Sequence, residues 1–235
     1  MYYLREYFHV PCYLELETQW LIFTENSVQT NVFTTGDLDI GLKEPDWDPN
    51  ENDGKNMYPG YTVYKNPTVK NITSDKNGDE PCYVRMSVDI LNSQGTPITD
   101  DQALNLIYKT IYFDKNFLIR WYMTKKKVKA TGLIQDRIPG YNLAQLAAYP
   151  MVNPLWTKDT ARSTASKLVF NYMGAKGDGI LNIGEESTLF TILSIPTDWN
   201  QTQMQKVGNY QLKVTAQAIQ SKGICYPVRS LPHVG

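Results

Sequence analysis

Tyr83, Arg85, Ser87 and Asp89 alternate with Val84, Met86, Val88 and Ile90, a period of two that suits a β-strand with one buried face and not a helix. Leu38, Ile40 and Leu42 repeat the pattern against Asp37, Asp39, Gly41 and Lys43, with Gly36 marking a bend or bulge where that strand begins. Near the other end of the chain Leu212, Val214, Ala216 and Ala218 again face one way. Strands with one apolar face must pack on a shared core, so the chain is read as all-β with small helical inserts.

Composition agrees. A chain of 235 residues can bury one full core. Its 16 tyrosines, with abundant Thr, Val and Asn, suit strands joined by polar turns. With 23 basic and 24 acidic residues the net charge is −1. That gives no strong attraction to nucleic acid or to an anionic membrane, and neither is an expected partner. Cys12, Cys82 and Cys225 lie far apart and form no C-x-x-C pair. A Cys82 to Cys225 bridge is one reading and burial as free thiols is the other.

The segment Tyr58 to Asn71 carries the most specific pattern. Tyr58-Pro59-Gly60 is a turn in which proline fixes φ and glycine takes the positive φ of a type II turn. The strand that follows, with Val63 and Lys65 on alternate positions, is ended or bulged at Pro67 and resumes through Val69. Proline cannot donate to a ladder, so an edge position or a bulge is expected. Ser74 to Pro81, with Asn77-Gly78, reads as a hairpin loop.

Glu44 to Gly60 is a polar loop rich in turn formers. Asp46, Asp48, Glu51 and Asp53 within it offer hard oxygen ligands that suit calcium, but the spacing departs from the EF-hand loop. Aspartate is also a usual turn residue, and a solvated loop is the simpler reading.

A helix is expected after Thr99-Asp100-Asp101-Gln102, read as a capping box, with Ala103, Leu104, Ile107 and Ile111 as its apolar stripe. Phe117 to Met123 reads as a strand or its edge. Lys125, Lys126, Lys127 and Lys129 follow, charges that would keep an edge from pairing wrongly or would meet an acidic polymer. Tyr141 to Tyr149 reads as a short helix, and Leu168 to Tyr172 as a strand.

Taken together these pieces resemble the mature domain of the TasA/camelysin family, exported proteins of Gram-positive bacteria that include biofilm matrix fibre subunits and spore-coat-associated proteins. The resemblance rests on N-x-F-T-T-G-D-L-D-I from Asn31 and on P-G-x-x-V-x-K-x-P-x-V-x-N, filled by Pro59, Gly60, Val63, Lys65, Pro67, Val69 and Asn71. It also rests on Tyr83-Val84-Arg85-Met86, on Ser187-Thr188-Leu189-Phe190 with Ile195-Pro196, and on the closing strand Gly208 to Gln220. It covers about Phe23 to Gln94 and Gly179 to Gly223, leaving a divergent middle at about 125–170. The resemblance implies a single jelly-roll-like antiparallel β-sandwich over 23–235, with short helical inserts. It further implies an exported surface or matrix protein that forms fibres with itself, alongside matrix polysaccharide. In such fibres an N-terminal segment of one subunit completes the sheet of the next, and here Glu25 to Phe33, with Val28 and Val32, would be that donor.

The first 22 residues do not fit an export signal, since Arg5, Glu6, His9, Pro11, Glu15 and Glu17 interrupt them. No stretch there is long enough to span a bilayer. Leu21-Ile22-Phe23-Thr24 is similar to the family's Ala-Tyr-Phe-Thr, and one extra T relates the two, since GCT-TAT-TTT-ACA becomes G-CTT-ATT-TTT-ACA. Trp20, encoded only by TGG, supplies the required G. Two readings stand: an out-of-frame remnant of a signal peptide over Met1 to Ile22, or an ordinary N-terminal strand and loop.

Some members of the family are described as metalloendopeptidases. A catalytic zinc needs about three protein ligands, usually including histidine, and His9 and His233 are the only two in the chain. Neither precedes a glutamate at zinc-site spacing, and a Ser or Cys triad would need the same two residues as base. No enzyme activity, cofactor or catalytic residue is therefore expected. The alternatives to a fibre subunit are a camelysin-type peptidase and a non-polymerising surface module that binds through the divergent middle.

Overall fold

The computed structural model describes residues 38–44, 57–73, 81–115 and 148–221, and the backbone of 23–26. The expected all-β class is the class found, with antiparallel pairing throughout the described strands. One large sheet has the order β1 (Phe23–Asn26), β12 (Tyr210–Gln220), β5 (Cys82–Asn92), β8 (Lys167–Tyr172) and β7 (Trp156–Lys158), with β9 (Ile180–Leu181) also pairing β5. A second sheet sets β4 (Thr68–Asn71) between β10 (Glu186–Thr188) and β2 (Ile40–Lys43). A third sets β11 (Ile192–Ser194) between β3 (Thr62–Tyr64) and β6 (Ile111–Tyr112).

The period-two readings hold. Along β5 buried and half-buried residues alternate from Cys82 to Ile90, and β12 pairs with its full length, from Tyr210 against Asn92 to Gln220 against Cys82. Val84, Met86 and Val88 join Val214, Ala216 and Ala218 on the inward face, where Ile40, Val63, Val69 and Leu193 of the small sheets, with Leu38 and Leu189 beside them in the chain, meet them in one core. Burying such a side chain contributes about 1.5–3 kcal/mol. On the outward face Arg85 Nε donates to Asn171 Oδ1 of β8 at 3.2 Å, and the Asn171 amide donates to Asp159 Oδ2 at 3.2 Å.

Two short helices, α1 (Asp101–Tyr108) and α2 (Gln201–Val207), close one end of the large sheet. Leu104 and Ile107 of α1 and Val207 of α2 pack with Ile90, Ile195 and Trp199 in a second cluster. The cap of α1 lies one residue later than the sequence suggests. Asp100, not Thr99, holds the N-cap and accepts from the Ala103 N–H at 3.0 Å, so Gln102 has no box to complete. Ile111 is buried on β6 and not on the helix. The true capping box belongs to α2, between Asn200 and Gln203.

The Tyr58 turn forms as read: the Tyr61 N–H donates to Tyr58 O at 2.8 Å and Gly60 has φ +86°. The reading of Pro67 holds in part: the strand ends ahead of the proline and resumes at Thr68, and β3 lies at the edge of its sheet. Proline splits the strand into β3 and β4, which enter different sheets, yet no bulge occurs. Tyr64 pairs with Ile192 and Thr68 with Thr188, so residues 65–67 face 189–191 without a slip in register. Nor is β4 an edge, since β10 and β2 flank it. The Leu189 N–H donates to Pro67 O at 2.9 Å, and the Leu189 carbonyl, which Pro67 cannot serve, accepts the Asn153 N–H at 2.7 Å. A donor from elsewhere in the chain lets proline sit inside the ribbon. The hairpin expected around Ser74 to Pro81 is also corrected, because β4 and β5 lie in different sheets; residues 74–80 themselves lie outside the described residues.

Candidate functional site

The motif residues from Pro59 to Asn71 meet at the seam between the small sheets, and each has a structural task. Val63 and Val69 are core residues. Lys65 is almost wholly buried, at 6% exposure, and its Nζ donates to Glu44 Oε2 at 2.7 Å. Asn71 has no exposed surface; its Nδ2 donates to Leu181 O at 3.1 Å and its Oδ1 accepts from the Thr73 hydroxyl at 2.7 Å. Thr62 with Ser194 and Thr68 with Thr188 form hydroxyl pairs at 2.6 and 2.7 Å on either side of the proline break. These are cross-strand contacts of the close, non-hydrogen-bonded kind.

Titratable groups are likewise bound into the fold at scattered places. Burial, with the negative charge of Glu185 in second place, pushes the Cys82 thiol up to about 12. Cys82 is a free, buried thiol, and Cys12 and Cys225 lie outside the described residues. Burial and the hydrogen bond to Glu185 Oε1 raise the Tyr172 hydroxyl to about 12. Burial alone would raise Glu185 and Asp159. The bonds from Asn182 and Tyr172 to the first, and from Asn171 and Arg162 to the second, outweigh it and hold both below the ordinary range. A hydrogen bond from Lys206, at 2.5 Å, is the chief cause that lowers Asp100.

A groove of about 620 Å³ runs between α1 and α2. Its lining offers the amides of Gln102, Asn105 and Gln203, the Thr202 hydroxyl and the ammonium groups of Lys109 and Lys206, with no carboxylate or imidazole to act as a base. Among the described residues no three or more His, Cys, Asp or Glu side chains gather as metal ligands. The calcium candidates Asp46, Asp48, Glu51 and Asp53 lie outside the described residues, as do His9, His233, the lysines of 125–129, Phe117 to Met123, and all but the last two residues of the helix expected at Tyr141 to Tyr149. Glu44, just ahead of the acidic loop, is committed to Lys65.

What the backbone offers instead is an edge. The Ser221 N–H donates to Pro81 O and the Ile90 N–H to Ser166 O, so odd-numbered residues of β12 turn their backbone groups toward β5 and even-numbered residues turn theirs away from it. On that outer side β1 covers only Thr215 to Ala218: Phe23 faces Ala218, Thr24 faces Gln217, Glu25 faces Ala216 and Asn26 faces Thr215. Beyond β1 the backbone groups of Leu212 and Val214 point the same way, and among the described residues no strand pairs with them there. Of the expected donor residues, Glu25 lies in β1, while Val28, Val32 and Phe33 lie outside the described residues. No side-chain pattern marked this edge in the sequence, because it is made of main-chain groups.

Comparisons with protein-family models, with curated proteins and with solved structures returned no match. No described helix is long and apolar enough to cross a membrane.

Proposed function

We propose that the chain is an exported surface or matrix structural protein of the TasA/camelysin kind, with jelly-roll connectivity, that forms fibres with itself by adding a strand to the edge of β12. The observation that supports this reading most is the seating of β1. A four-residue strand from the chain's N-terminal part lies antiparallel on β12, and among the described residues no strand pairs with the rest of that edge. An open edge of this kind recruits extended peptide, with main-chain hydrogen bonds giving affinity and alternate side chains giving register. Matrix polysaccharide is the companion polymer in this reading, and the work of the protein is mechanical.

Electron microscopy of protein trimmed to begin at Phe23 or Thr24 tests the proposal. Fibres are expected on concentration. A preparation that stays monomeric under every condition overturns the fibre reading in favour of a non-polymerising surface binder.

A further inference from the structure

We propose that the groove between α1 and α2 binds carboxylated sugar residues of an acidic polysaccharide, with Lys109 holding the carboxylate and the amides beside it holding hydroxyls. The class of polymer rests on the matrix reading above; the place rests on geometry. Gln102, Asn105, Leu106 and Lys109 recur every three or four residues and so share one face of α1, opposite to the buried Ala103, Leu104 and Ile107. Thr202, Gln203, Gln205 and Lys206 of α2 form the other wall. A helix face that is merely solvated carries charges of both signs. This groove presents four amides, one hydroxyl and two ammonium groups, with no acid among the described residues that line it, on a chain whose net charge is −1.

The two lysines are not equivalent. Lys206 Nζ lies 2.5 Å from Asp100 Oδ2, so its charge is met within the protein. Lys109 is exposed and has no ion pair among the described residues, so the excess positive charge of the groove sits with it. Asp100 caps the start of α1 and Lys109 its end, roughly 13 Å apart along a helix that rises ~1.5 Å per residue. An anion is therefore drawn to the Lys109 end and repelled from the other. Lys206 also borders a second hollow, of about 310 Å³, which continues past it between Asn92, Thr99 and Asn209. Two hollows in line suit a chain better than a compact metabolite. Among the described residues no aromatic ring lines either of them, which removes the stacking that nucleobases use. Amides both donate and accept, as neighbouring hydroxyls require, and an ammonium pairs with a carboxylate.

Calorimetric titration of the full chain with trigalacturonic acid tests the site, with maltotriose as the neutral sugar and tetra-aspartate as the acidic peptide. Trigalacturonic acid is expected to bind, and the other two about tenfold more weakly or not at all. Lys109→Gln should weaken the acidic sugar about tenfold, as loss of a charge-assisted bond does, and Lys109→Arg should keep most of the binding. Asn105→Ala should weaken it as well, a loss that charge attraction alone does not produce. Lys176→Gln, which removes an exposed lysine outside the groove, should change nothing. All these positions are exposed, and thermal melts that match the unchanged chain show that the variants fold. No binding of trigalacturonic acid, equal binding of maltotriose or tetra-aspartate, a Lys109→Gln titration that matches Lys176→Gln, or full binding in Asn105→Ala overturns the proposal. Each of those results leaves the fibre reading standing, because fibres are judged by microscopy of the trimmed protein. Absence of fibres with binding intact removes the fibre reading and leaves the groove as the site of a surface binder.

Discussion

Lys65 Nζ sits 2.7 Å from Glu44 Oε2, and the two side chains differ sharply in their access to water: 7% of the lysine side chain is exposed against 25% of the glutamate. Neutralising the glutamate removes the negative charge beside an ammonium that water reaches poorly, whereas removing the lysine leaves a carboxylate that solvent can reach. Glu44→Gln should therefore cost about 1–3 kcal/mol, and Lys65→Met clearly less, because methionine fills a similar volume without the charge. Urea unfolding of the two variants compares them directly. Equal losses would mean that solvent access does not set the balance.

Pro67 and Asn153 form the second testable relationship. Pro67→Ala restores an N–H to a place where the Leu189 carbonyl is already served by Asn153, so the change should act mainly through the unfolded chain and cost about 0.4–1 kcal/mol. Asn153→Ala keeps the backbone bond but removes the bonds of the side chain to Thr188 O and from the Leu155 N–H, each 3.0 Å long. A loss of about 1–3 kcal/mol follows. Should the proline variant prove the weaker of the two in denaturant, Asn153 is not what relieves the break.

Stability should fall at both ends of the pH scale, for separate reasons. Asp159 and Glu185 are held below their ordinary range, so their contribution is present above the carboxylate values of the unfolded chain and is lost as pH falls through the lower folded values. Tyr172 and Cys82 are raised to about 12 from 10.0 and 9.0, so theirs is full below the unfolded values and disappears as pH rises toward 12. In thermal melts across the pH range, Tyr172→Phe should flatten the alkaline limb and Glu185→Gln the acid limb. An alkaline limb unchanged in Tyr172→Phe would remove the tyrosine from this account.

Gly179 is the position where a side chain should be least tolerated. Its φ is +74°, and an added Cβ would lie 3.2 Å from Tyr172 O and 3.3 Å from Tyr83 Cδ1. Backbone strain of about 1–2 kcal/mol then adds to a contact that the carbonyl cannot avoid. Gly179→Ala should lower the unfolding midpoint by more than Pro67→Ala does, and a neutral result would mean that the 173–179 turn can rearrange.

The long strands were legible because one face of each packs on a single core: Val84 to Ile90 and Val214 to Ala218 announce themselves by alternation alone. What escaped was decided at a distance. Nothing near Pro67 shows that Asn153 will supply the missing donor, and Asn77-Gly78 signals a turn without saying which strands pair across it. The cap of α1 was displaced by one residue because Thr99 and Asp100 both suit the position, and only the Ala103 N–H decides between them. Asn200 with Gln203 carried a readable box before a helix too short to show an apolar stripe. Glu25 belongs to the donor segment that the resemblance implies, but the part of the β12 edge that no described strand covers consists of peptide groups common to every residue and left no mark in the sequence.

The ribbon that runs through Pro67 also sets an order in time. Strands β3 and β4 find their partners in β11 and β10, near the far end of the chain, so a ribosome must have delivered the chain through Ser194 before the seam can close. Until then β4 has β2 alone beside it and β3 has no strand partner among the described residues. Such a delay keeps the chain open while it is being made, the state in which a chain can still be bound or threaded.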